Sequence, residues 1–161
     1  MYIMREKVSS ADNQQGRLNV RLTPDYIVGL VDGEGFFSVS ATISRPYGWT
    51  CHSVRMVFGI KLNAEDGQIL YDLQDWFGCG KVRFRKDDRK NFCDCLEYQV
   101  ADGRSIRDII IPFFQGHPLK FPKKVKSFQK FVAIAAMKER KEHLGERGFA
   151  KAKFLASQLH S

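Results

Sequence analysis

The sequence predicts an α+β domain in which helices cover one face of a four-stranded antiparallel sheet. Four segments alternate apolar and polar residues with the period of two that is typical of half-buried strands. Other segments repeat apolar residues at helical spacing, and the order is helix, two strands, helix, two strands, then further helices. Polar or basic residues occupy the second face of each strand, so we expect one apolar and one polar face of the sheet.

Length and charge limit the possible classes of protein. The 161 residues suit a single domain at 21–161, preceded by a polar, aperiodic and flexible arm at 1–20. No apolar run approaches the about 18 residues that a membrane span requires, and the N-terminus lacks the apolar core of a secretory signal. The formal net charge is +8. Its basic residues form two separate runs, at 81–90 and 120–130, which favours a polyanionic partner.

The first helix combines features that are unfavourable in an ordinary helix. Thr23 and Pro24 predict its start, and it runs to about Gly33. Gly29 and Gly33 each cost about 1 kcal/mol relative to alanine in a helix interior. Acidic residues at its C-terminal end, where Glu34 lies, face the negative end of the helix dipole. A cation held by Glu34, with a second copy of the helix against the glycine stripe, would compensate for both.

The first two strands are predicted at 36–44 and 53–62. Their apolar faces carry, in order along the chain, Phe37, Val39, Ala41 and Ile43, then Val54, Met56, Phe58, Ile60 and Leu62. The remaining elements are a helix at 64–77, strands at 81–85 and about 92–100, and helices at 105–114, 123–142 and 147–159. Val82 and Phe84 should point inward from the third strand, and residues 87–91 should turn into the fourth.

Residues 27–35, Ile-Val-Gly-Leu-Val-Asp-Gly-Glu-Gly, closely resemble the signature of the LAGLIDADG homing endonucleases. Glu34 stands at the second aspartate of that signature. The segments 78–85, 118–124 and 141–144 also resemble the family, so the match covers roughly residues 23–160. The resemblance implies the αββαββα fold of the family, in which a saddle-shaped sheet enters the DNA major groove. Because the signature occurs once, it also implies a homodimer.

The resemblance further implies a metal-dependent, sequence-specific DNA endonuclease that cuts both strands of a long pseudo-palindromic target. Glu34 is the expected catalytic metal ligand, together with the main-chain carbonyl of Gly33. Mg²⁺ is the expected cofactor, with Mn²⁺ or Ca²⁺ able to occupy the site in a crystal. No small-molecule cofactor is expected. Lys123 is the candidate catalytic cation, and Lys120 and Lys124 compete for that role because the alignment is uncertain by one to three residues.

Two further sets of residues follow from the resemblance. Gly29, Asp32 and Gly33 are expected at the dimer interface, where Asp32 would cap the partner subunit's helix. Strand parity then places the DNA-binding residues on the polar face of the sheet: Ser38, Ser40, Thr42, Ser44, Ser53, Arg55, Lys61, Lys81, Arg83, Arg85, Glu97 and Gln99. A register shift of one residue would invert this set, and a basic strand that contacts only phosphates is the alternative reading.

One expected part of the site is not evident. Relatives often place a water-organising glutamine near the end of the second strand, where this chain has Lys61, Leu62 and Asn63. Lys61 or Asn63 is a possible substitute. The departure keeps two alternatives open, a non-cleaving intron RNA maturase and a DNA-binding regulator. In each case we expect an intracellular protein, located with the host genome in a bacterial cytoplasm or an organelle, whose gene is mobile within an intron or a similar element.

Overall fold

The computed structural model describes residues 21–87, 89 and 93–159, so the predicted arm at 1–20 and most of the turn before the fourth strand lie outside the described residues. The chain forms α1 (Pro24–Glu34), β1 (Gly35–Ser44), β2 (Cys51–Asn63), α2 (Ile69–Phe77), β3 (Lys81–Arg85), β4 (Cys95–Val100), α3 (Ile111–Gly116), α4 (Pro122–Glu139) and α5 (Glu146–Ser157). An α-helical turn at Gly103–Ser105 and a π-helical stretch at Ile106–Ile110 lead into α3. The predicted α+β class and element order are confirmed.

The four strands form one antiparallel sheet in the order β1-β2-β4-β3. Residue Ser40 pairs with Arg55, Lys61 pairs with Glu97, and Glu97 pairs in turn with Arg83. Because directly paired residues share a face of a sheet, these pairs lie on the same side. The register therefore agrees with the predicted parity of all four strands.

The local signals at the start of α1 act as expected. Thr23 is the N-cap, its hydroxyl oxygen accepts a hydrogen bond from the Tyr26 amide at 3.2 Å, and Pro24 begins the helix. Ile27, Val28 and Val31 are buried on the inner face of α1. Buried apolar contacts on that face, rather than helix propensity, therefore stabilise a helix that contains two glycines.

The core lies between the apolar face of the sheet and the helices. The α1, α4 and α5 helices contact β1 and β2, while α2 contacts β3 and β4. Phe37 is at the centre, with the rings of Phe58, Phe128 and Phe131 at centroid distances of 5.4, 5.4 and 5.1 Å. No helix among the described residues is long and apolar enough to cross a membrane.

Three details differ from the sequence prediction. Phe84 is 58% exposed and Ile43 is 51% exposed, so neither is an inward core residue. Phe84 lies on the edge strand β3, and Ile43 lies near the outer end of β1. Helix α2 starts at Ile69 because residues 64–68 form turns. A side chain at Gly67 would lie 2.5 Å from Leu96, so this turn packs directly on β4.

Candidate nucleic-acid interface and metal site

The junction between α1 and β1 places Glu34 at the edge of the polar face. Glu34 is the last residue of α1 and is exposed, whereas Gly35 is buried and begins β1. A β-carbon on Gly35 would lie 2.6–2.8 Å from atoms of Val31, including its backbone. Only glycine therefore permits the helix to pass directly into the strand here, and this direct passage fixes the backbone on which Glu34 is carried.

Glu34 lines a groove of about 410 Å³ together with Lys61, Leu62, Asn63, Asp66 and Cys95. The groove thus contains two carboxylates and one amide, which supply the oxygen ligands that a hard divalent cation prefers. Sequence reasoning missed Asp66, although its position three residues after Asn63 in a turn was a usable signal. In the part of the chain that the structure describes, no three His, Cys, Asp or Glu side chains form a metal-binding group.

Asp32 has a different partner from the one expected. Its side chain is 5% exposed, and its two oxygens accept hydrogen bonds from the amides of Lys120 at 2.8 Å and Phe121 at 3.1 Å. These amides directly precede α4 of the same chain. The expectation that Asp32 caps the partner subunit's helix is therefore wrong, because both oxygens bind the segment that leads into this chain's own α4.

Lys124 reaches the same junction from α4. Its ammonium group donates a hydrogen bond to the carbonyl oxygen of Gly35. Burial lowers the pKa of Lys124, while the charges of Asp32 and Glu34 act in the opposite direction. Lys123 is exposed, and together with Lys124 it lines a cavity of about 480 Å³ beside Asp32. Of the three candidate cations, Lys124 is the one that the structure brings into contact with the junction.

The predicted DNA-binding residues form one surface, which we call the polar face. Cross-strand pairs join Ser38 to Val57, Thr42 to Ser53, and Lys81 to Gln99. Together with the pairs already described, they place on this face Ser38, Ser40, Thr42, Ser44, Ser53, Arg55, Lys61, Lys81, Arg83, Arg85, Glu97 and Gln99. The structure thus brings all twelve residues of the predicted set together on one side of the sheet.

Charges on the polar face are only partly neutralised. Arg85 forms an ion pair with Glu97 at 3.1 Å, and the Gln99 amide donates to the other carboxylate oxygen of Glu97 at 2.8 Å. Arg55, Arg83 and Lys81 form no ion pair with any residue that the structure describes. These three cations line a concavity of about 280 Å³ that also includes Gln99. Such a concave basic surface suits a polyanion with hydrogen-bonding edges.

The outer face of α1 is bare. Gly29 and Gly33 are exposed, and a β-carbon at either position would meet no atom of this chain within 4 Å. Tyr26 lies one turn before Gly29 and is also exposed. The two glycines are therefore not required by packing within the described part of this chain.

The comparisons with known proteins agree with this geometry. The sequence model of the LAGLIDADG endonuclease family matches residues 27–135. Among solved structures, the homing endonuclease I-TnaI is 37% identical with a TM-score of 0.75, and the match covers 87% of this chain and 89% of that chain. I-LtrWI bound to its target DNA is 28% identical with a TM-score of 0.75, covering 86% of this chain and 44% of that one.

Curated relatives come from fungi. A probable intron-encoded endonuclease 2 of Neurospora crassa is 34% identical over 100 residues, which are 61% of this chain and 21% of that protein. A probable intron-encoded DNA endonuclease 1 of Mycosarcoma maydis is 30% identical over 102 residues, which are 62% of this chain and 33% of that protein. The chain thus spans between a fifth and a third of the length of the curated relatives it matches.

Proposed function

Because the chain belongs to the LAGLIDADG endonuclease family, we propose that it is a site-specific endonuclease that cleaves both strands of a long pseudo-palindromic DNA target. The observation that carries the proposal is the continuity between the polar face and Glu34. Lys61 belongs to the polar face and also lines the groove of Glu34. A duplex held on this face would therefore place its backbone close to that carboxylate.

The polar face supplies both kinds of contact that site-specific binding needs. Arg55, Arg83 and Lys81 have the donors to bind guanine edges, and Gln99 can bind adenine in the major groove. Serine and threonine hydroxyls along β1 can bind bases or phosphates. Each polar face would read one half of the target.

Cleavage requires a divalent cation in this proposal, and Mg²⁺ is the expected ion. The Glu34 carboxylate, with the Gly33 carbonyl, would hold it, since both are hard oxygen ligands. When bound, such a cation activates water and stabilises the leaving oxygen. Lys124 lies where its positive charge can orient a phosphate, and Lys123 remains a second candidate on the same turn of α4. Lys61 and Asn63 are the groups in the groove that can orient a water molecule.

We further propose that two copies act together, with their α1 helices in contact. The exposed faces of Gly29 and Gly33 leave room for another helix to approach the α1 backbone closely. Both glycines precede Glu34 on the same short helix, so pairing of α1 helices would bring two Glu34 carboxylates near one axis. Such a dimer would place one carboxylate beside each strand of the target.

The test is cleavage of a library that contains randomised and host-locus DNA, in Mg²⁺ and in EDTA. We expect double-strand cuts at one pseudo-palindromic sequence in Mg²⁺ and specific binding without cuts in EDTA. Specific binding without any product in Mg²⁺ would contradict nuclease activity and favour a DNA-binding regulator. Preferential binding of structured intron RNA would favour a maturase. The protein is expected to act wherever the genome that contains its target resides.

A further inference from the structure

The tip of the β1–β2 hairpin, residues 45–50, presents two aromatic side chains to solvent. Tyr47 is 101% exposed and Trp49 is 77% exposed, which makes them the two most exposed large hydrophobic residues that the structure describes. Single exposed apolar residues are common on proteins, but two adjacent and nearly complete exposures of large rings are not. The proposed cleavage chemistry uses neither residue.

The hairpin tip has a defined shape and a fixed base. The Trp49 amide donates to the carbonyl of Pro46 at 3.1 Å, and Tyr47 takes a positive φ of 52°. At its base, His52 stacks on Phe149 with ring centroids 4.4 Å apart, and its Nδ1 lies 2.9 Å from the carbonyl oxygen of Leu144. The hairpin is thereby attached to α5 and to the turn before it, so the two aromatic residues are held away from the core.

We propose that Tyr47 and Trp49 contact duplex DNA beyond the bases read by each polar face and so extend the target outward. This inference rests on the proposed function. The hairpin tip continues the two strands whose polar sides carry Thr42, Ser44 and Ser53, so a duplex on the polar face runs toward it. Arg45 stands at the start of the tip and provides a positive charge for the DNA backbone.

The length of β1 sets where this contact falls. Its 10 residues span about 33 Å at about 3.3 Å per residue. Duplex DNA rises about 3.4 Å per base pair, so the tip lies about 10 base pairs from the junction that carries Glu34. Aromatic side chains suit that position because they can pack on sugars and thymine methyl groups while the Tyr hydroxyl and Trp N–H reach phosphates.

A second copy of the chain does not suit this surface. The bare face of α1 that would meet the second copy adjoins Gly35, at one end of β1, whereas the hairpin tip follows Ser44 at the other end. Contact between α1 helices therefore leaves the tip uncovered. The remaining polyanionic partner in the proposal is the DNA itself, so DNA is the occupant to which the inference commits.

The experiment uses Trp49 as its own probe. The chain has two tryptophans, so Trp76→Phe leaves Trp49 as the single emitter. Two duplexes would be compared, a full target and one trimmed by three base pairs at each outer end. We expect quenching or a shift of Trp49 emission with the full target and neither change with the trimmed one. The double variant Tyr47→Ala/Trp49→Ala should lose about tenfold in affinity for the full target only.

Tyr71→Ala is the matched control, since Tyr71 is an exposed aromatic residue on α2, in the helical layer. It should bind both duplexes as the wild type does. Wild-type binding with unchanged Trp49 emission, or equal affinities of the double variant and the wild type for the full target, would overturn this inference and leave the proposed function intact. Failure of the wild type to bind any DNA would overturn both.

Discussion

Replacing Asp32 tests how the α1–β1 junction is held against α4. The Asp32 carboxylate is nearly inaccessible and accepts hydrogen bonds from two backbone amides, those of Lys120 and Phe121. Asparagine has almost the same shape but keeps only one acceptor oxygen. In Asp32→Asn, one of the two amides therefore faces an NH₂ group and loses its partner.

The expected cost follows from these two hydrogen bonds. Loss of one hydrogen bond to a charged group costs about 1.5–3 kcal/mol. Removal of a negative charge near the start of α4 adds about 0.3–1 kcal/mol. Asp32→Asn should therefore lower the free energy of unfolding by about 2–4 kcal/mol, which for a chain of this size lowers Tm by roughly 4–15 °C. Asp32→Ala removes both bonds and should cost more.

Urea unfolding at one fixed protein concentration measures this effect, with Asp75→Asn as the control. Asp75 is exposed on α2, so its variant should stay within about 0.5 kcal/mol of the wild type. A loss below about 0.5 kcal/mol in Asp32→Asn would refute the argument that these two bonds hold the junction.

Three further outcomes are expected. Gly29→Leu should fold normally, because nothing in the chain lies within 4 Å of a β-carbon there, but should sediment as a monomer; an unchanged dimer would contradict the proposed α1 contact. Lys124→Met should lower both Tm and the cleavage rate, whereas Lys123→Met should lower the rate alone; the reverse pattern would exclude Lys124. Burial and the nearby charge of Lys138 lower the pKa of His143, so the unfolded chain binds its proton more tightly and the free energy of unfolding falls as pH drops below about 6.5. His143→Gln should reduce that fall, as measured by urea titration between about pH 7.5 and 5.5; an equal fall in both proteins would contradict this.

The polar face could be predicted from the sequence because strand alternation determines it directly. Once Val54, Met56 and Phe58 are assigned inward, Arg55 must point outward, and the register confirms the same logic in each strand. Alternation does not reveal where the helical layer ends. Phe84 follows the apolar pattern of its strand but remains exposed at the sheet edge.

The candidate site was less accessible to sequence reasoning because its contacts join distant segments. Asp32 and Lys120 are 88 positions apart, and nothing local indicates that they are bonded. Consecutive residues on a helix differ in direction by about 100°. The side chain that reaches Gly35, Lys124 rather than Lys123, is therefore determined by how α4 is rotated against β1, which the spacing of the lysines does not give.

The most direct test of the central claim compares the wild type with Glu34→Gln on one identified target, measuring binding in EDTA and double-strand cleavage in Mg²⁺. The substitution keeps the size of the side chain and removes the charge that would hold the cation. The account predicts that Glu34→Gln binds the target as the wild type does and yields no product. Cleavage by Glu34→Gln at the wild-type rate would contradict the assignment of Glu34 and, with it, the proposed mechanism.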